Sequence, residues 1–181
     1  MENVKSILSR KINLPEIKEV ALWAKEGIEN KAILLQLARS DERLTSVNAL
    51  WVMTHIDQPE SQWPGSFRDI LTDTLLSESD TAKKRMLLQL LRGMEYEPDT
   101  IRTDLLDYCL TKINSECETY SIRAFSIYIA LKMCLHYPEL AAELLERLSM
   151  MSHQALSPGL ICARNKAIAE ISKLNEKDNG H

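Results

Sequence analysis

The chain has 181 residues, 45% of them hydrophobic and 27% charged, with only five glycines and six prolines. That length suits one domain or a short repeat array, and the scarcity of turn residues argues against a β-sandwich or a Rossmann sheet. A formal net charge of −4 argues against non-specific binding to nucleic acid or an anionic membrane, unless a local patch overrides it.

The opening stretch MENVKSILSRKIN has neither an apolar core nor a cleavage site, so it does not read as a secretory signal. It predicts a short helix near 2–10. No run approaches the ~18 apolar residues of a membrane span, so no membrane association is expected. Asn13 and Glu16 then form a capping-box pattern that opens a helix over 14–26, with Gly27 expected to close it. Residues 1–27 are thus expected to form an N-terminal cap on the rest of the chain.

Four helix pairs come next: 28–39 with 41–56, 62–77 with 80–93, 98–114 with 117–136, and 138–151 with 158–175. The first member of each pair is denoted A and the second B. Residues 57–60 and 115–118 repeat the capping pattern, and prolines at 98, 138 and 158 sit where a first helical turn tolerates them. Apolar residues recur every three or four positions, as in Leu140, Leu144, Leu148 and Met151, and no period of two lasts long enough for a strand. The chain reads as all-α over residues 1–175, a single domain with a disordered polar tail at 176–181.

The B helices overlay. Asn48, Arg85, Arg123 and Arg164 fall at equivalent places, separated by 37, 38 and 41 residues. A period near 40 built from helix pairs predicts stacked hairpins sharing one continuous core. The stretch ETYSIRAFSIYIAL, with Glu118 at the turn and Ile122, Arg123 and Ala124 after it, resembles the second helix of a HEAT-type repeat. Asp80 and Arg85 match the same pattern, while Asn48 and Ser157 depart from it. The resemblance covers residues 28–175. It implies an ARM/HEAT-like fold, a right-handed α–α superhelix of about four hairpins behind N-terminal capping helices. It often brings an interaction surface and implies no particular activity.

Charge is segregated between the two helix sets. The B spans carry ten bases and five acids, net +5, and the A spans six bases and nine acids, net −3. In HEAT-like arrays the B helices line the concave side, so a weakly basic inner face is expected. Lys83, Lys84 and Arg92 are its candidate partner-binding bases, and Trp63, at a helix start beside Pro64 and Gly65, is a candidate apolar anchor. Asp80, Arg85, Glu118 and Arg123 are alternatively a structural ladder, each arginine pairing an acid of its own or the adjacent repeat. Trp51 is expected in the core, and Trp23 against the N-terminal cap.

The four cysteines, Cys109, Cys117, Cys134 and Cys162, form no CxxC pair and are expected to be reduced and buried, as in a cytoplasmic protein. The histidines His55, His136, His153 and His181 supply no ligand cluster, so no metal is expected. Asp104 and Asp107, three apart, and the stripe Glu139, Glu143 and Glu146 are expected to be solvated. No nucleophile–base pair and no glycine-rich phosphate loop is legible, so no cofactor and no enzyme activity is expected. The sequence points to a protein-interaction scaffold whose partner carries an acidic segment. The alternative is a nucleic-acid-binding protein, since some DNA-alkylation-repair glycosylases are HEAT-like helical proteins with a basic groove.

Overall fold

Ten α-helices account for most of the computed structural model, which describes residues 2–56, 63–151 and 155–178, and no strand occurs among them. They are α1 (Glu2–Leu8), α2 (Leu14–Lys25), α3 (Ile28–Ala38), α4 (Arg43–Met53), α5 (Gly65–Ser77), α6 (Thr81–Arg92), α7 (Thr103–Ile113), α8 (Tyr120–Cys134), α9 (Pro138–Met150) and α10 (Pro158–Asp178). The chain falls into two units, Met1–Gly93 and Met94–His181.

In the first unit α4 is the central element. Helices α1, α2, α3 and α6 all pack on it, and α5 packs on α6. A helix enclosed on several sides must be apolar nearly all round, and α4 buries Thr45, Ser46, Asn48, Ala49, Leu50, Val52 and Met53. In the second unit α8 takes that place, with α7, α9 and α10 against it. It too is buried on most sides, through Ile122, Ile127, Ile129, Ala130, Met133 and Cys134 among others. Helix α7 buries only one stripe, Leu105, Leu106, Cys109, Leu110 and Ile113, and keeps a polar outer face. Fully burying each such aliphatic side chain contributes roughly 1.5–3 kcal/mol.

Several helix ends follow the sequence closely. The Asn13 side chain accepts from the Glu16 amide at 3.1 Å, and the Glu16 carboxylate accepts from the Asn13 amide at 2.9 Å, completing the capping box of α2. Other ends differ. Gly27 does not close α2, whose C-cap is Glu26; it is the extended N-cap of α3. The pattern at 115–118 does not open α8, because Thr119 is the cap and its hydroxyl receives the Ile122 amide. The helix expected from residue 98 opens with a separate 3-10 turn, Pro98–Thr100, and α7 starts only after extended backbone at Ile101 and Arg102. The pattern at 57–60 lies outside the described residues. Helix α10 continues to Asp178, into the stretch expected to be a tail.

The expected ladder is replaced by a different closure. Neither Arg85–Asp80 nor Arg123–Glu118 forms among the described side chains. Asp80 caps α6 through the Ala82 and Lys83 amides and holds the Arg43 guanidinium at 2.7 Å. Glu118 is held by Lys112 at 2.7 Å. Arg123 is buried and its Nε donates to the Ile113 carbonyl at 2.8 Å, the last residue of α7. Arg164 Nε donates likewise to the Leu148 carbonyl near the end of α9, at 2.8 Å, and the Ser46 hydroxyl to Ala38, the last residue of α3. In two hairpins, then, a B-helix donor satisfies a carbonyl that the end of its own A helix leaves open, and in the third Arg164 joins the Met151 amide on the Leu148 carbonyl. Asn48 does the same for the N-terminal cap, donating to Leu8 and Arg10 carbonyls.

Arg85 is exposed for a simple reason. Ser46 and Arg123 are each the fourth residue after their N-caps, Glu42 and Thr119, whereas Arg85 is the fifth after Asp80. One extra residue turns a side chain about 100° round the helix, here into solvent.

The cysteines split. Cys109 and Cys134 are buried, and burial pushes both thiols up, that of Cys134 to about 12. Cys117 and Cys162 are exposed, against expectation: Cys117 lies in the turn between α7 and α8, and Cys162 on the outer side of α10. Trp51 is only half-buried, edge-on to His55. Trp23 is half-buried too, and its carbonyl receives the Asn30 side chain at 2.8 Å.

Candidate functional site

The bases of the B helices are largely consumed by the fold. Arg43, Arg123 and Arg164 hold the helix ends and the Asp80 carboxylate. Lys83 pairs with Glu78, and both side chains are mostly covered. Lys132 donates to the Met94 carbonyl at 2.7 Å and reaches Glu95 at 3.3 Å. Lys166 lies 5.9 Å from the Tyr128 ring centre, and Lys173 pairs with Glu170. Arg92 is exposed at the end of α6 and is also partnered. Of the ten bases only Lys84 and Arg85 lack a side-chain partner among the described residues.

Trp63 is half-buried rather than presented. Its ring packs on Phe67 at 5.6 Å between centres, and the Lys31 ammonium sits 5.5 Å from the ring centre. An amine held over an aromatic face is attracted by the ring quadrupole, so Phe67 and Lys31 both hold the Trp63 ring in place. Lys83, Lys84, Arg92 and Trp63 therefore sit in separate settings.

Asp104 offers no acid–base pair with Asp107. Arg102 grips its carboxylate with two hydrogen bonds, at 2.9 and 2.6 Å, and this holds its carboxyl below the usual range. No group of three or more metal-ligating side chains occurs among the described residues. No described helix is long and apolar enough to cross a membrane.

A cleft that the sequence does not announce lies in the first unit, on the side of the A helices. The B helices α4 and α6 pack together, but α3 and α5 do not close over them to the same extent. They leave a cleft of ≈ 950 Å³. Its apolar walls are Ile33 and Leu37 of α3 and Phe67 and Ile70 of α5. Lys5, Gln36 and Arg39 lie at its margins. Trp63 packs on Phe67 of that wall.

Toward the carbonyl ends of α3 and α5 the cleft adjoins a polar recess of ≈ 520 Å³, and the two share Arg39, Ser40 and Asp41. Asp73, Ser77, Glu78 and Lys83 line the rest. Burial pushes the Glu78 carboxyl up, but the Lys83 amine and the Asp80 and Ser79 amides outweigh it and hold it below its ordinary value. Glu78 is therefore ionised at neutral pH. No local sequence signal marks the cleft, because its walls are ordinary core-facing apolar residues on helices ~30 residues apart in the chain.

Residues 4–171 match the family model of the HEAT repeat domain. No curated protein and no solved structure matches the chain. HEAT repeats commonly mediate protein interactions and are typically non-catalytic.

Proposed function

Since this chain belongs to the HEAT repeat domain family, we propose that it is a non-enzymatic protein-interaction module whose docking site is the cleft between α3 and α5. The cleft itself carries this reading. It spans ≈ 950 Å³ and its walls are mainly apolar, and an exposed apolar concavity of that kind marks an interaction groove. The consumption of the B-helix bases counts against a basic groove as the main site. Four free thiols suit a reducing compartment such as the cytoplasm.

The test is site-specific photo-crosslinking in native cells. A photoreactive residue at Gln36, on the cleft margin, should give a discrete protein adduct. The same residue at Lys84, on the B side, should give none. Ala32 is exposed and lines the cleft, so Ala32→Trp should fill it and abolish the Gln36 adduct without changing the helical circular dichroism. Adducts from Lys84 that survive Ala32→Trp would instead return the function to the B helices.

A further inference from the structure

We propose that copies of this chain associate through α2 of one copy and α9 of another, laid antiparallel. This contact lies apart from the cleft and does not depend on it.

The two most exposed large apolar side chains among the described residues are Leu22, at 63%, and Met150, at 58%. One exposed apolar residue needs no explanation, but each of these stands in a row with charges of a single sign. On α2, Leu14, Lys18, Leu22 and Lys25 follow at steps of four, four and three, so they share one face. Leu14, Lys18 and Leu22 are exposed and Lys25 is half-buried. No described carboxylate lines the recess of ≈ 400 Å³ beside them. On α9, Met150, Glu146, Ala142 and Glu139, read toward the N-terminus, follow at the same steps of four, four and three, and all four are exposed.

Laid antiparallel, the two rows match position by position. Leu14 meets Met150, Lys18 meets Glu146, Leu22 meets Ala142, and Lys25 meets Glu139. Each cation faces an acid, and the large Leu22 side chain lies over the small Ala142, where there is room for it. In this register Glu19 and Glu26 of α2 fall opposite Leu145 and Pro138, and Glu143 of α9 falls opposite Ala21, so no like charges stand directly opposite. The charges are also available. Lys18, Glu139 and Glu146 have no side-chain partner among the described residues of their own chain. Lys25 has one, and Glu143 is held by Arg147 at 3.1 Å, so the pair of Lys18 with Glu146 leads the contact. Antiparallel helices also set the carbonyl end of each beside the amide end of the other, which their dipoles favour.

The experiment is sedimentation velocity of the full chain over a dilution series at low salt. The parent should associate as its concentration rises, and less so at about 1 M salt, where charges are screened beyond roughly 3 Å. Two double variants reverse the charge of one face each: Lys18→Glu with Lys25→Glu, and Glu139→Lys with Glu146→Lys. Each alone sets like charges together and should raise the dissociation constant at least about 10-fold. Mixed in equal amounts they should associate again, because every acidic face then finds a basic one. Circular dichroism checks that these surface substitutions leave the helices intact. A parent that stays monomeric throughout, double variants that associate as the parent does, or a mixture no stronger than its two components would each overturn the contact.

Discussion

Arg123 and Arg85 occupy matching places in two similar stretches, and the fold uses them differently. Arg123 is 3% exposed and closes the end of α7 through the Ile113 carbonyl, while Arg85 is exposed on α6. Removing the partner of a buried carbonyl costs about 1–3 kcal/mol. Arg123→Met should lower stability by that amount in urea titration, and Arg85→Met should stay within about 0.5 kcal/mol, the usual range for a surface change. Equal losses would mean that the latch at Ile113 contributes nothing. Asp80 supplies a pH-dependent counterpart. Burial pushes its carboxyl up, but the Lys83 and Ala82 amides and the Arg43 guanidinium outweigh it, so its folded value is depressed. Its contribution is therefore fully present above the unfolded value of about 3.9 and is lost as pH falls through the lower folded value. Asp80→Asn keeps an N-cap acceptor and loses the ion pair to Arg43, whose side chain is 69% exposed, so the cost at pH 7 should be only about 0.5 kcal/mol. Asp80→Ala should cost about 1 kcal/mol more through the lost cap. Unfolding midpoints of parent and Asp80→Asn, measured from pH 7 down to pH 2, should converge at the acid end. A gap that persists there would show that the pair with Arg43 is not its source.

The helices themselves were legible because their signals are local. The box at Asn13 and Glu16 and the stripe of α7 from Leu105 to Ile113 lie within one or two turns of chain. The phase of a helix was less legible. The capping pattern at 115–118 starts this helix at residue 117, three residues before its observed start at Tyr120, because Thr119 is the cap. Beside that early start, Glu118 stands as a partner for Arg123, which instead closes the Ile113 carbonyl. The same phase problem hid the exposure of Cys117 and Cys162, since apolar spacing alone does not say where a helix stops or which neighbour covers it. Their reactivity checks the corrected arrangement: an excess of a thiol reagent should modify two cysteines rapidly in the native protein and all four in urea. Four fast reactions in the folded protein would contradict the burial of Cys109 and Cys134. The cleft was illegible altogether. It depends on how far α3 stands from α5, which is set by α4 packing on α6 and leaves no trace in any single stretch.

At the scale of the chain, most of the B-helix charge is paired rather than free. Eight of the ten B-helix bases have partners, and the chain carries a formal net charge of −4. Two neighbouring cations, Lys84 and Arg85, contact at most about two phosphates, which limits the salt slope of duplex binding to roughly 2 on a logarithmic scale. Duplex DNA or single-stranded RNA at micromolar concentration should therefore not be retained at about 150 mM salt, roughly physiological ionic strength, in a filter or anisotropy assay. Tight binding that falls steeply with salt would reinstate a nucleic-acid function. The donors that close the helix ends have one more consequence. Ser46 and Ala38, Arg123 and Ile113, and Arg164 and Leu148 each lie within one hairpin, whereas Arg43 and Asp80 join one hairpin to the next. A stretch of DNA encoding one of these three hairpins, duplicated or lost, thus brings or takes both halves of its own clasp. What must be remade are the bonds across its borders, Arg43 to Asp80, Asn114 to the Arg147 carbonyl, and Asn48 to the Leu8 and Arg10 carbonyls. The clasp travels with its hairpin, and the border bonds set what a gained or lost hairpin disturbs.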